Sequence, residues 1–196
     1  ANKGNSQAQH SLGYIYYSGE GVEKNITKAI DLWYKAAFQG YAPSQNNLAF
    51  MFRNGQGVSR DYSEALKWYR KAADQDNLSA INNLGYMYEN GYGVTRSYSK
   101  AVEYYRQAAD EGHITAQTNM GIMCENGLGT ARDYFEAVKW YRLSAEQGNA
   151  VAQLYLGTMY EYGTGVARDL QEARKWYEKA IAQGNTDAQE ALKRLK

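Results

Sequence analysis

The chain repeats one eleven-residue segment at a fixed interval of 36 residues. The segment at 84–94 reads Leu-Gly-Tyr-Met-Tyr-Glu-Asn-Gly-Tyr-Gly-Val, and versions of it begin at Leu12, Leu48, Met120 and Leu156 without an insertion or deletion between them. A period of this length is typical of solenoids, in which each unit buries its apolar surface against its neighbours. We therefore expect one solenoid over residues 1–196, with repeats at 8–43, 44–79, 80–115, 116–151 and 152–187.

Each repeat is expected to form two helices. Apolar residues recur at helical spacing over residues 6–18, and equivalently over 42–54, 78–90, 114–126 and 150–162. A pair of glycines follows each of these segments, as at Gly55 and Gly57. The first glycine is expected to end the helix with a positive φ, and the second to permit a tight turn. These patterns predict an all-α fold, a right-handed α/α superhelix of helix-turn-helix repeats.

The second helix of each repeat has a start signal of its own. Asp133 and Glu136 have the spacing of a capping box, in which the Asp accepts from free amides and the Glu reaches back to the amide of the Asp. An alanine such as Ala29 follows in every repeat, and a small residue such as Gly13 recurs in the first helix. We expect the two helices to cross closely where these small residues meet.

Catalysis has little support in the sequence. His113 stands where Asn77 and Asn149 begin a first helix, so we interpret it as an N-cap rather than a base or a metal ligand. Cys124 replaces an aromatic residue on the apolar stripe and is expected to be a buried, inert thiol. The chain has neither zinc-ligand spacing nor a phosphate-binding glycine loop after a strand. We therefore expect no enzyme activity, no metal and no cofactor.

The composition excludes several other classes of function. The formal net charge is +1, which argues against general binding to nucleic acid, because such binding depends on clustered Lys and Arg. No apolar run reaches the length of about 18 residues that a membrane span requires, so membrane insertion is not expected. The single cysteine cannot form an internal disulfide and leaves the redox compartment open.

The two ends of the chain differ from the repeats between them. Residues 1–4 align with the end of a second helix, which predicts the tail of a truncated upstream repeat and an exposed apolar end face there. An exposed end of this kind predicts weak self-association through it. Residues 188–196 begin another first helix, but Lys193 occupies the close-packing glycine position. We expect this segment to be a C-terminal capping helix.

The order Ala-x-x-x-Leu-Gly-x-Met-Tyr-x-x-Gly-x-Gly-Val, followed by a capped start and Ala-x-x-Trp-Tyr-x-x-Ala-Ala, resembles the Sel-one-like repeat family, a relative of the tetratricopeptide repeats. The usual proline after the valine is absent, and the disulfides of the cysteine-rich branch cannot form. The resemblance implies an adaptor in protein complexes, commonly bacterial and in several members involved in host interaction. It favours a periplasmic or secreted location, with the cytoplasm left open.

If the geometry follows the tetratricopeptide relatives, the first helices form a concave wall that binds a partner. The candidate contact residues point away from the apolar stripe of each first helix. They are His10, Tyr14, Tyr17, Asn46, Phe50, Arg53, Asn54, Asn82, Tyr86, Glu89, Asn90, Glu125 and Glu161.

Two properties of these candidates predict the kind of partner. Tyr14, Phe50 and Tyr86 would form an aromatic row flanked by amides, which suits an extended peptide because the amides can pair with its main chain. Arg53 is followed along the wall by the glutamates at 89, 125 and 161, which predicts a preference for basic or polar segments in the second half. Alternatively, Asn54, Asn90 and Asn126 bond only to loop backbone and the glutamates are merely solvated.

Three hypotheses for the function follow from these patterns. The first is a non-catalytic scaffold that binds a protein or peptide partner, because the repeats fill the chain and the aromatic row lies on one wall. The second is an architectural segment that spaces neighbouring domains or assembles with itself. The third is a hydrolase or small-molecule binder, which would need a pocket that joins a titratable pair around a residue such as His10.

Overall fold

The computed structural model describes residues 4–195, and every regular element in that range is an α-helix. The eleven helices of the described range are α1 (Ser6–Ser18), α2 (Ile26–Phe38), α3 (Ala42–Asn54), α4 (Tyr62–Ala73), α5 (Leu78–Asn90), α6 (Tyr98–Asp110), α7 (Ile114–Asn126), α8 (Tyr134–Glu146), α9 (Ala150–Tyr162), α10 (Leu170–Ile181) and α11 (Thr186–Arg194). The all-α prediction and the five predicted first helices are confirmed.

The contacts divide the chain into two compact units, one up to Arg96 and one from Ser97 onward. In the first unit α1 packs on α2, α2 on α3, α3 on α4 and α4 on α5. In the second unit each helix from α6 to α11 likewise packs on the next one along the chain. Both units are therefore stacks of helical hairpins, in which a second helix lies between two first helices.

The paired glycines of each loop have different roles. Gly55 ends α3 with a φ of 66° and donates its amide to the carbonyl of Met51, as predicted for a left-handed C-cap. Gly57 also has a positive φ, and a Cβ atom there would collide with Ile26 and Ile30 of α2. The second glycine therefore does more than permit a turn. Because it has no side chain, it lets the loop of one repeat pack directly against the second helix of the repeat before it.

The turn after each second helix also needs a positive φ. Gly40, Gly112, Gly148 and Gly184 supply it in four repeats. Asp76 takes this position after α4 with a φ of 56°, and it is the one non-glycine residue with a positive φ among residues 4–195. Aspartate tolerates this region better than most residues, at a cost of about 1 kcal/mol.

The second helices start at the predicted caps, but only half of the capping box forms. Asp133 Oδ1 accepts from the amide of Glu136 at 3.0 Å. The amide of Asp133 donates to the carbonyl of Cys124 at 2.9 Å, so the side chain of Glu136 has no reason to reach back to it. Glu136 instead forms an ion pair of 2.9 Å with Lys139. The predicted hydrogen bond from the Asp133 amide to the Glu136 side chain is therefore wrong, because that amide already donates to a carbonyl at the end of the first helix.

The close crossing of the two helices joins a glycine to an aromatic ring. A Cβ at Gly157 would lie 2.6 Å from the Tyr177 ring, and a Cβ at Gly13 would lie 2.6 Å from Trp33 Nε1. The carbonyl of Ala29 is farther from that Cβ, at 3.2 Å. The prediction that small residues meet small residues is therefore only partly correct, since the main partner of the glycine is a ring of the second helix.

The chain ends are described from Gly4 to Leu195, so most of the predicted upstream tail at residues 1–4, and Lys196 of the predicted capping helix, lie outside the described residues. Leu12 is 42% exposed, whereas Leu48 at the equivalent position of the next repeat is fully buried. No second helix precedes Leu12 in the described range to cover it. At the other end α11 begins at Thr186, and the Lys193 ammonium is exposed and pairs with Glu190.

Candidate functional site

The first unit contains a cavity of about 250 Å³ between α1, α2 and α3. Its lining residues are Tyr14, Tyr17, Trp33, Asn46, Asn47, Phe50 and Met51. The candidates Tyr14, Tyr17, Asn46 and Phe50 are thus brought together around one opening. Aromatic rings form most of its wall, and two side-chain amides supply the polar groups.

Helical periodicity places these side chains. Tyr14 and Tyr17 lie one turn apart on α1, and Asn46 and Phe50 lie one turn apart on α3, so each pair shares a face of its helix. The ring of Tyr17 lies 5.4 Å from that of Trp33, which forms the floor from α2. Tyr14 remains exposed at the rim.

Arg53 lies between two aromatic rings next to this cavity. Its guanidinium carbon is 5.1 Å from the centre of the Phe50 ring and 5.0 Å from that of Tyr86 on α5. Cation–π contacts of this length are attractive and hold the side chain flat on the surface. Arg53 forms no ion pair with any residue of the described range. We call Tyr14, Tyr17, Phe50, Arg53 and Tyr86 the aromatic face.

An amide network connects the first helices of this unit. Asn83 accepts from Arg53 Nη1 at 3.2 Å and donates to Asn46 Oδ1 at 3.1 Å. The sequence selected Asn82 in place of Asn83, and this was wrong, because Asn82 is only 8% exposed and lies among the buried residues of α5. Asn47 was missed because two adjacent asparagines cannot be distinguished from the sequence alone. It follows Asn46 directly and lines the cavity.

Asn54 and Asn90 are satisfied within their own helices but remain exposed. The Asn54 amide donates to the carbonyl of Phe50, and the Asn90 amide donates to that of Tyr86, both at 2.9 Å. The alternative that these residues bond to loop backbone is therefore wrong about the acceptor, which in both cases is a carbonyl of the same helix. Each amide keeps a second donor for a partner.

Tyr86 belongs to an aromatic cluster that sequence reasoning did not find. Its ring lies 5.9 Å from that of Tyr92, which stacks on Tyr62 at 4.7 Å. Partial burial and the neighbouring Tyr92 raise the pKa of the Tyr86 phenol. The cluster holds the outer edge of the aromatic face in place. The only signal for it in the sequence was an aromatic residue between the paired glycines of that repeat.

In the second unit, two glutamates of the predicted acidic wall already accept hydrogen bonds from tyrosines of the core. Tyr141 donates to Glu125 at 2.6 Å, and Tyr177 donates to Glu161 at 2.6 Å. Glu161 is 7% exposed and also pairs with Arg194 of α11 at 3.3 Å. Burial would raise the pKa of Glu161, but the bonds from Tyr177 and Arg194 outweigh it and lower that pKa.

Two candidates therefore need correction. Glu161 cannot offer a free carboxylate to a partner, and Glu125, which is half-buried, already accepts a strong bond. The preference for basic segments that we drew from these glutamates is not supported at these two positions. Glu89 is half-buried on α5 in the first unit.

Tyr69 shows what changes when the glutamate is replaced. It is equivalent to Tyr141 and Tyr177, but Arg53 stands where they have Glu125 and Glu161. The Tyr69 hydroxyl is fully buried and has no hydrogen-bond partner. Burial raises the pKa of its phenol, while the charge of Arg53 acts in the opposite direction.

The two histidines do not form a catalytic site. His113 Nδ1 accepts from the amide of Ala116 at 3.2 Å, which confirms its reading as an N-cap. His10 Nδ1 lies 3.0 Å from Ser44 Oγ, but Ser44 is fully buried and cannot meet a substrate. Burial lowers the pKa of both imidazoles. The His10 pair therefore joins α1 to α3 as a structural contact.

Three further features bear on the chemistry of the surface. Cys124 is buried as predicted, and burial raises the pKa of its thiol. Within residues 4–195 no three His, Cys, Asp or Glu side chains come together in a way that could hold a metal ion. Among the helices of that range, none has both the length and the apolar character to cross a bilayer.

Comparison with known proteins identifies the family. A family model described as Sel1 repeat matches residues 6–41, 42–77, 78–113, 114–149 and 150–185. A Sel1 repeat protein from Oxalobacter formigenes is 38% identical, with a TM-score of 0.87, over 97% of this chain and 76% of its own. A protective antigen present in uropathogenic Escherichia coli strains is 38% identical, with a TM-score of 0.83, over 95% of this chain. This chain spans only 40% of that antigen.

A more distant structure shares the fold alone. An immunity protein from Pseudomonas aeruginosa is 24% identical, with a TM-score of 0.68, over 93% of this chain and 66% of its own. No curated protein matches the chain significantly. The family segments keep the predicted period and begin two residues before the boundaries that we placed. With five consecutive matches that cover most of its length, this chain belongs to the Sel1 repeat family.

Proposed function

We propose that this chain is a non-catalytic scaffold that binds an extended segment of another protein on the aromatic face. Sel1 repeats commonly serve as protein-interaction scaffolds. The observation that carries the proposal is the cavity between Tyr14, Tyr17 and Phe50, which is open beside two asparagine amides. Aromatic rings can hold an apolar side chain, while the amides of Asn46 and Asn47 can pair with the main chain of the ligand.

The size of the cavity favours a peptide side chain over a small molecule. Pockets that enclose small molecules measure about 300–1,000 Å³, whereas this cavity measures about 250 Å³ and is open to one side. One apolar side chain fits such a space, and the rest of the segment would lie across Phe50 towards Tyr86. A partner held in this way would gain affinity from a few aromatic anchors.

The likeness to a protective antigen supports a place of action outside the cytoplasm. An antigen that protects must be reached by the immune system of the host, and the E. coli antigen shares 38% of the residues over most of this chain. We extend this to a periplasmic or secreted location and to a partner that is met there. A host protein is one partner of this kind.

Selection of peptides that bind the 196-residue chain tests the proposal. Displayed linear peptides are selected against the chain, and the winners are synthesised and titrated by calorimetry. The double substitution Tyr14→Ala with Tyr86→Ala should weaken their binding at least tenfold, because both rings are exposed and contribute contact area rather than core packing. Circular dichroism should show the same helicity in both proteins.

Phe135→Ala provides the matched control. Phe135 is also an exposed aromatic residue, but it lies on α8 in the second unit and is not part of the aromatic face. Its substitution should leave the affinity of the peptides unchanged. If Phe135→Ala weakens binding and the double variant does not, the partner binds elsewhere and the proposal fails.

A further inference from the structure

Resting on the proposed peptide-binding function, we infer that the bound segment carries a glutamate, whose carboxylate binds at Arg53 and Tyr69. This names the chemistry of the partner and the residues that read it. The sequence predicted a preference for basic or polar segments only in the second half of the wall, whereas this inference concerns Arg53, a cation of the first unit.

The second unit shows how such a carboxylate is held. Tyr141 and Tyr177 each donate a bond of 2.6 Å to a glutamate on the first helix of the same repeat. A hydrogen bond to a charged acceptor is stronger than one between neutral groups. The fold therefore contains, at an equivalent place in two repeats, a tyrosine hydroxyl directed at a carboxylate.

In the first unit the donor is present and the carboxylate is absent. Tyr69 is fully buried and its hydroxyl has no acceptor. Arg53 replaces the glutamate and has only donors, so it cannot accept from Tyr69. A buried donor without a partner costs stability, and such groups are rare in folded proteins. An external carboxylate would satisfy Tyr69 and neutralise Arg53 together.

Arg53 is free to bind an anion. It donates one hydrogen bond, to Asn83, and its remaining contacts are with the faces of the Phe50 and Tyr86 rings. A guanidinium has five N–H donors, so several remain for a ligand. The amides around it, Asn46 and Asn83, carry no charge. Arg53 occupies the position of the glutamates that accept from Tyr141 and Tyr177 in the second unit. We therefore expect the guanidinium to shift on its ring stack as the carboxylate enters.

Phe50 connects the cavity with Arg53. Phe50 lines the cavity and also lies 5.1 Å from the Arg53 guanidinium. Side chains two positions apart on an extended peptide lie on the same side and roughly 7 Å from each other. A segment with an apolar residue in the cavity would therefore bring a residue two positions along to Arg53. We expect the pattern apolar-x-Glu.

Three short peptides test the inference. The first is N-acetylated Gly-Leu-Gly-Glu-Gly with an amidated end, the second has Gln in place of Glu, and the third is N-acetylated Gly-Leu-Gly with a free carboxyl end. Each is titrated into the isotopically labelled 196-residue chain and followed by NMR chemical shifts. The Glu peptide should bind at least tenfold more tightly than the Gln peptide, because a bond to a charged group is lost with Gln.

Variants identify which residues read the carboxylate. Arg53→Gln and Tyr69→Phe should each reduce the preference for Glu over Gln several-fold. Arg53→Glu should abolish it, because it supplies an internal acceptor for Tyr69, as in the second unit. Arg60→Gln removes a cation of the same unit that lies over Tyr62 instead, and should leave the preference unchanged.

The outcomes separate this inference from the proposed function. If the Glu and Gln peptides bind equally and Tyr14→Ala weakens both, the aromatic face binds peptides and the inference is overturned. If the peptide with the free carboxyl end binds more tightly than the Glu peptide, the site recognises a chain terminus rather than a glutamate side chain. This result also overturns the inference. If the three peptides produce no shifts on the aromatic face at millimolar concentration, both proposals fail.

Discussion

The hydroxyl group of Tyr177 donates a hydrogen bond of 2.6 Å to the carboxylate of Glu161, and both side chains are buried. Tyr69 has the equivalent place in the first unit but no acceptor, because Arg53 stands in the position of the glutamate. The same position of the repeat thus holds a tyrosine that makes a strong hydrogen bond in one hairpin and a tyrosine whose hydroxyl has no acceptor in another. The difference has a measurable effect on stability.

Tyr177→Phe should lower the free energy of unfolding by about 1–3 kcal/mol, because it leaves a buried carboxylate oxygen of Glu161 without its donor. Tyr69→Phe, the matched change, should leave that free energy unchanged or raise it, since the hydroxyl that it removes has no partner. Urea denaturation of the two variants beside the parent chain measures both effects. Equal destabilisation by the two substitutions would contradict this assignment.

Removal of a helix cap should cost more than removal of the glutamate that follows it. Asp169 Oδ1 accepts from the amides of Gln171 and Glu172, so Asp169→Ala should lower the free energy of unfolding by about 1 kcal/mol. Glu172→Ala should change it far less, because Glu172 pairs only with the exposed Lys175 and does not close a capping box. Thermal unfolding of both variants compares the two. A larger loss with Glu172→Ala would show that the reciprocal bond forms in solution.

The free energy of unfolding should fall in mildly acidic solution because of His113. Burial lowers its pKa in the folded chain below the ordinary value of 6.5, so the unfolded chain takes up the proton more readily. The stability is therefore fully present above pH 6.5 and is lost as the pH falls from there towards the folded pKa. Protonation also removes the Nδ1 acceptor that caps α7.

His113→Asn tests this origin of the pH dependence. Asparagine caps the equivalent helices at Asn77 and Asn149, so the variant should match the parent at pH 8 and exceed it at pH 5.5. Burial also lowers the pKa of His10, so the comparison is repeated in a His10→Asn background. If His113→Asn leaves the slope between these pH values unchanged in both backgrounds, the cap does not titrate as expected.

The helices could be predicted from the sequence because several independent signals agree on each boundary. Gly55 and its equivalents require a positive φ that few other residues adopt, and Asp61 and its equivalents cap the next helix. These are local requirements of the backbone, and they recur at one interval. Local signals of this kind also identified His113 as a cap, since its equivalents are asparagines.

The site could be predicted only in part, because it depends on the rotation of each helix about its axis. Successive residues of a helix differ by about 100° in direction. Asn82 and Asn83 are adjacent and identical, so the sequence does not say which of them faces the partner. The structure turns Asn83 outward to Arg53 and Asn46. The aromatic residues Tyr14, Phe50 and Tyr86 were found because each is unusual on a polar face.

The tyrosine–glutamate bonds were missed for a different reason. Tyr177 and Glu161 are on different helices, and each has an adequate separate explanation as a core aromatic residue and as a surface charge. Only the approach of the two helices shows that they meet. The sequence shows Arg53 only as one charge among several, and it becomes informative once the Tyr69 hydroxyl is found to be buried without an acceptor.

The contact of the second loop glycine with the preceding hairpin has a consequence for how this array can change over evolution. Gly57 touches Ile26, and a Cβ at Gly93 would lie 2.9 Å from Tyr62, so each loop must have the length that brings it onto its neighbour. Duplication or deletion of a whole repeat preserves every one of these contacts. A single residue added between the paired glycines breaks one. Selection should therefore tolerate copy-number variation in this gene while it purges short insertions from its loops.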